Sequence, residues 1–143
     1  MATLKFVKSS KGSGTRVNGI LQWGNDTYKV VSGGYGKGQI PNGKYTVERF
    51  KAVTGNKDSM KSGFVNPNNG RGWFLPLTPL FSTSRHGFGV HPDGNVVGTK
   101  GCIGLQGNDI AKFWDKWLKT TLKSRPNSLE VSSNIKPEKT VTK

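Results

Sequence analysis

The chain has 143 residues, with 22 Lys and Arg against 8 Asp and Glu for a formal net charge of +14. That length suits one domain with a sizeable core, and the short apolar runs exclude a membrane-spanning helix, which needs roughly 20 apolar residues. Twenty glycines and seven prolines favour a turn-rich, mainly β fold, and a single cysteine excludes an intramolecular disulfide.

In chain order, "TLKFVKS" and "GILQWGNDTYKVVSGG" read as strands, with a hairpin turn expected at Asn25-Asp26. Pro41-Asn42-Gly43 reads as a turn into "KYTVERF", whose alternation predicts a further strand, so the first half is expected to form a small antiparallel sheet. Gly55 to Thr83 reads as irregular, yet it carries Trp73, Phe74, Leu75, Leu77 and Leu80. So much apolar surface is expected to cover the sheet or line a groove. "FGVH" predicts a short strand ending at His91, and "GTKGCIGL" a turn followed by a strand carrying Cys102. An amphipathic helix is expected from Asn108 as N-cap, with Asp109 in its first turn. Its apolar face is Ile110, Phe113, Trp114, Trp117, Leu118 and Leu122, opposite Lys112, Asp115, Lys116 and Lys119. Pro126 ends the helical region, and "SLEVSS" predicts a last strand. The expected organisation is one domain over residues 1–131 and a basic, disordered tail over 132–143.

The N-terminal "MATLKFVKSSKGSG" has lysines but no apolar h-region, so a protein made in the cytoplasm and carried elsewhere by another system is expected. Charge is uneven. Residues 1–51 carry nine bases and two acids, 52–110 five and three, and 111–143 eight and three. The stretch with the suggestive motif is thus the nearest to neutral, and the flanks predict long-range attraction to an anionic envelope.

A strand ending in imidazole beside one beginning with a thiol is a way to build a Cys-His pair. A neighbouring imidazolium lowers a thiol pKa from about 8.5 toward neutrality and supplies the nucleophilic thiolate. Gly101 lets backbone approach a bound carbonyl, and the N–H groups of Gly101 and Cys102 are the expected donors to a developing oxyanion.

Gly89-Val90-His91 followed by Thr99-Lys100-Gly101-Cys102-Ile103 resembles the active-site signature of the L,D-transpeptidase catalytic domain family. "YKVVSGGYGKGQIPNGKYTV" follows the family's strand, small-residue segment and turn, and a helix after the cysteine also fits. The resemblance covers roughly Leu21 to Leu118, and only the cysteine motif is specific. It implies a small, β-sandwich-like single domain, and peptidoglycan stem peptides as substrate in the periplasm or outside the cell. The implied chemistry is attack by Cys102 on the carbonyl preceding a D-residue, with His91 as base, through an acyl-enzyme that water or an amine releases. Lys100 and Thr99, with Arg85 and His86 upstream, make up the expected substrate contacts. No cofactor, no metal, no specific nucleic acid and a monomeric state are expected. Three departures from the family pattern stand out: only ten residues separate His91 from Cys102, Gly104 stands where many members have arginine, and Pro92 follows the histidine. Asp93 or a backbone carbonyl is left to orient the imidazole. A compact phage lysis enzyme or antibacterial effector is the expected role.

Two rival chemistries find weaker support in the sequence. His86, His91, Asp93 and Cys102 match neither HExxH nor paired zinc-ligand spacing. A basic nucleic-acid-binding β domain would use Tyr28, Tyr35, Tyr45, Phe50, Trp73 and Phe74 as a stacking platform, but no recognisable nucleic-acid-binding motif accompanies them.

Overall fold

A computed structural model of the chain describes residues 2–36, 38–94 and 97–135. Strands β1 (Thr3–Lys11), β2 (Val17–Trp23) and β3 (Asp26–Ser32) form an antiparallel meander. Period-two alternation turns Leu4, Phe6, Val17, Leu21, Trp23, Tyr28 and Val30 into the core. The hairpin turn lies one residue earlier than the sequence suggested. Trp23 pairs with Asp26, so Gly24 and Asn25 make the connection, and Gly24 takes the left-handed φ of +61° that such a turn requires.

The first-half sheet is not self-contained. Strand β9 (Ser128–Ser133) inserts beside β1, in parallel, and pairs on its other edge with β4 (Gly43–Val47) in antiparallel fashion. Beyond β9, the Asn134 N–H donates to the Lys8 carbonyl and Ile135 packs against the core. Residues 132–135 of the expected tail are therefore part of the fold, and the rest of it lies outside the described residues.

The segment expected to be irregular, from Gly55 to Thr83, holds the end of β5 (Val53–Asn56), a 3-10 turn at Ser62–Phe64 and the nine-residue β6 (Arg71–Pro79). Pro76 lies within β6, although proline removes a ladder donor. Its position explains why it is tolerated. Strand β6 pairs with β5 up to Phe74 and with β4 from Leu77, so Pro76 falls in the gap between two partners. Its carbonyl still accepts the Glu48 N–H at 2.9 Å.

On the other edge β6 pairs with β7 (Gly89–Pro92), β7 runs parallel to β8 (Ile103–Leu105), and β8 returns to β3. With β4 bonded to both β9 and β6, the sheet closes on itself in the order β4-β9-β1-β2-β3-β8-β7-β6. The fold is mainly β, a barrel- or sandwich-like sheet with a single α-helix among the described residues.

Helix α1 (Asp109–Lys119) follows β8 directly and buries Ile110, Phe113, Trp114 and Trp117. Trp114 stacks on Trp73 of β6 with centroids 4.6 Å apart, and Phe113 meets Tyr28 of β3 edge-on at 5.3 Å. Asn108 provides no side-chain cap. The Asp109 carboxylate instead accepts the Lys29 N–H at 2.7 Å, tying the helix start to β3. Leu118 and Leu122, expected on the buried face, are exposed: Leu118 falls at the side of the face set by Ile110, Phe113, Trp114 and Trp117, and Leu122 lies past the end of the helix, in a 3-10 turn. Burial of Tyr28, Tyr45 and Trp73 in the core removes three of the six aromatic side chains a stacking platform would need.

Candidate active site

His91 is the third residue of β7 and pairs with Gly104 of β8, one rung beyond the Val90 to Ile103 pair. Counting back along β8 sets Cys102 beside Gly89. Residues two apart share a face, so Cys102 and His91 project from the same side of the strand pair. Both line one groove of about 800 Å³, walled largely by Tyr35, Val53, Met60, Phe64 and Phe74.

The His91 ring is buried, 4.5 Å from the Phe64 centroid and stacked at 5.9 Å on Phe74. Its Nδ1 lies 2.6 Å from the Pro92 carbonyl oxygen. A carbonyl only accepts, so the proton of the neutral ring sits on Nδ1, and Nε2 is left with a lone pair. Of the two orienting groups left open by the sequence, the carbonyl is the one used. Asp93 is engaged elsewhere: its Oδ2 accepts the Gly98 N–H at 3.0 Å and the Gln106 side-chain amide. Burial lowers the His91 pKa from 6.5 to about 4, against a smaller opposing effect of the Pro92 hydrogen bond.

Cys102 lies in the bend just before β8, and its thiol points to the Gly87 carbonyl at 3.5 Å. Burial raises its pKa to about 11. Hydrogen bonding to the Gly89 backbone and the nearby Arg85 charge pull the other way. The expectation of a thiol pKa lowered by an imidazolium is therefore corrected. Both groups are desolvated, which favours the neutral thiol and the neutral imidazole. A neutral thiol and a neutral imidazole in one groove can react by proton transfer to the Nε2 lone pair as the sulfur attacks, with no preformed ion pair.

Thr99 holds the cysteine loop. Its backbone exchanges bonds with Gly33 and Tyr35, at 2.7 and 3.2 Å. Its Oγ1 accepts the N–H groups of Gly33, Gly101 and Cys102 at 3.1, 3.3 and 3.1 Å, and donates to the Cys102 carbonyl at 2.8 Å. The two amides expected to face an oxyanion thus already have an acceptor, and Thr99, expected as a substrate contact, is buried with its hydroxyl committed internally.

Gly101 has φ +124°, and a Cβ there would collide with the Arg85 guanidinium. Arg85 donates to the carbonyls of Gln39 and Gly38 at 3.0 and 3.3 Å and lies 5.3 Å from the Phe88 ring centroid. With exposed His86 and Lys100 it lines a second, smaller cavity of about 160 Å³. Lys100 and Gly87 border both cavities, so the two meet beside Cys102. At Gly104 a Cβ would stand 2.9 Å from Asp93 Cβ and 3.0 Å from Thr99 Cγ2. This packing has no room for the arginine that many members carry there.

Sequence reasoning did not find Phe64, the Gly87 carbonyl or Tyr35. Phe74 carried a signal, as the residue out of phase with buried Trp73 and Leu75. Phe64 sits in a polar segment with no periodicity.

A family model described as the L,D-transpeptidase catalytic domain (YkuD) matches residues 18–131. No curated protein and no solved structure matches the chain. Since the match spans most of the sequence, from β2 through β9, the chain belongs to the L,D-transpeptidase catalytic domain family and is a peptidoglycan-acting cysteine enzyme of that type.

Proposed function

We propose that Cys102 is the nucleophile and His91 its base in the cleavage or exchange of the peptide bond preceding a D-residue in peptidoglycan stem peptides. The observation that carries this reading is the tautomer. An Nδ1–H held by the Pro92 carbonyl leaves Nε2 as a free base in the groove that also holds the only thiol.

The thiol proton passes to Nε2 as sulfur attacks the carbonyl carbon. The tetrahedral intermediate collapses as that proton moves to the leaving amine, so the C–N bond breaks and a thioester remains. Water or a second amine then attacks the thioester and frees the thiol. The N–H groups of Gly101 and Cys102 are the proposed oxyanion donors, released from Thr99 Oγ1 as negative charge develops. Arg85, His86 and Lys100 would face the carboxylate of the departing D-residue in the smaller cavity, a role supported by the positive charge of Arg85 and Lys100, the imidazole of His86 as a hydrogen-bonding group beside them, and the exclusion of arginine at Gly104. The proposed catalytic unit extends the expected residues 1–131 to residue 135, because β9 runs to Ser133 and Asn134 and Ile135 close on β1 and the core. A phage lysis enzyme or antibacterial effector is the proposed role, supported by the compact ten-residue His91 to Cys102 connection and the +14 charge.

Digestion of isolated cell walls followed by mass spectrometry tests the reading. Shortened stem peptides are expected in water, and exchange at the terminal position when a D-amino acid is added. Both products should vanish in Cys102→Ala. Cleaved glycan strands, or products that persist in that variant, would sink the assignment.

A further inference from the structure

Behind one wall of the groove lies an apolar patch that this chemistry does not use. Phe50 is 71 % exposed in the turn after β4, Leu118 is 50 % exposed near the end of α1, and Leu122 is 39 % exposed in the 3-10 turn that follows. All three border a single concavity of about 260 Å³ that is also lined by Trp114 and Trp117.

The exposure is built into the fold. Arg49 Nη1 donates to the carbonyls of Lys123 and Arg125 at 3.0 and 2.9 Å, and its guanidinium lies 5.0 Å from the Phe50 ring centroid. These bonds staple the Phe50 turn to the segment after the helix, so the aromatic ring is held outward. Arg49 and Arg125 line the concavity itself, and exposed Lys51 and Lys123 directly follow Phe50 and Leu122, while Lys119, after Leu118, lines a neighbouring concavity with Asp26 and Asp115. Among the described residues, no acidic side chain lines the concavity.

We propose that this patch is a peripheral docking surface for an anionic phospholipid bilayer. Apolar side chains among lysines suit the boundary between acyl chains and negative headgroups, where the rings and aliphatic tips leave water while the ammonium groups meet phosphate. A second copy of the chain fits poorly, because a two-fold contact would bring two faces that each carry Arg49 and Arg125 together. Within β5 and its approach, Ala52 and Thr54 line the patch while Val53 lines the groove. Docking would therefore hold the groove one strand away from the membrane surface.

The test is sedimentation of the full chain with vesicles of phosphatidylglycerol and phosphatidylcholine, and with vesicles of phosphatidylcholine alone, at about 0.1 M salt. Binding to the anionic vesicles is expected to be at least ten-fold tighter. Phe50→Ser and Leu118→Ser, which leave the net charge unchanged, should each weaken it several-fold while thermal melting and turnover of a soluble stem peptide stay the same. Failure to sediment with anionic vesicles would overturn the proposal. So would equal binding by the wild type and both serine variants, which would reduce the effect to overall charge. A dimer abolished by Phe50→Ser without vesicle binding would assign the patch to a second copy. Turnover is read separately, so the docking surface and the proposed chemistry can fail independently.

Discussion

Cys102 and His91 are each shifted by burial toward the neutral form, and the two shifts make separate predictions. Alkylation of the free enzyme should accelerate with pH along a curve centred near 11, where an ion-paired thiolate would react fully at neutral pH. A labelling curve centred below about 8.5 would restore the ion-pair picture. For His91, the unfolded chain binds more protons than the folded one between about pH 4 and 6.5, so stability must fall as pH drops through that window and is intact above it. Raised by burial, Asp93 acts in the opposite sense: the folded chain holds its proton longer, which favours folding as pH falls. The difference between wild type and His91→Gln isolates the histidine. The wild type should lose melting temperature from pH 6.5 to 4 more steeply than the variant, and parallel curves would mean that the ring is solvated. His91→Ala should reduce turnover nearly as much as Cys102→Ala, since groups acting as a unit are non-additive. His86→Ala, on the rim of the smaller cavity, should cost much less.

Among the elements, the cysteine loop is the one most dependent on a single side chain. Thr99→Val would leave three backbone N–H groups and one carbonyl without the hydroxyl. At about 1–3 kcal/mol for each unsatisfied buried group, and with part of the loop free to relax, the variant should lose on the order of 3 kcal/mol in urea denaturation. Thr99→Ser should keep most of the stability, and a Val variant as stable as wild type would show that the loop does not need the hydroxyl. The loop also marks how far the sequence could be read. Strands β7 and β8 and the helix were legible because each has its own period or bounding glycines. The pairing that sets Cys102 and His91 on one face was plausible only as a juxtaposition, since register between strands is a long-range property. Strand β6 was not legible as a strand, since it contains Pro76, whose cost disappears only when both flanking partners are known. Closure through β4, and the insertion of β9 between β1 and β4, leave no local trace. The structural work of Thr99 was not legible because a hydroxyl serving four backbone groups looks, in sequence, like any other hydroxyl beside a nucleophile.

At the scale of the whole molecule, the +14 charge is distributed away from the residues that line the groove. Residues 52–110 hold five bases and three acids, whereas the two flanks together hold seventeen bases and five acids. The groove itself is walled mainly by apolar side chains, so substrate recognition there should depend little on ionic strength, while capture of an anionic wall should depend on it strongly. Exposed charges are screened beyond about 10 Å at 0.1 M salt and about 3 Å at 1 M. Binding of Cys102→Ala to intact cell walls should thus fall steeply between low and high salt. The KM of the wild type for a short soluble stem peptide should change far less over the same range, except for any part carried by Lys100 and Arg85. Wall binding indifferent to salt would remove the role given to the charge and leave the enzyme standing. If KM for the short peptide rose as steeply as wall affinity fell, the cationic cavity beside Cys102 would be the dominant electrostatic site, and the flanking charge would serve solubility alone.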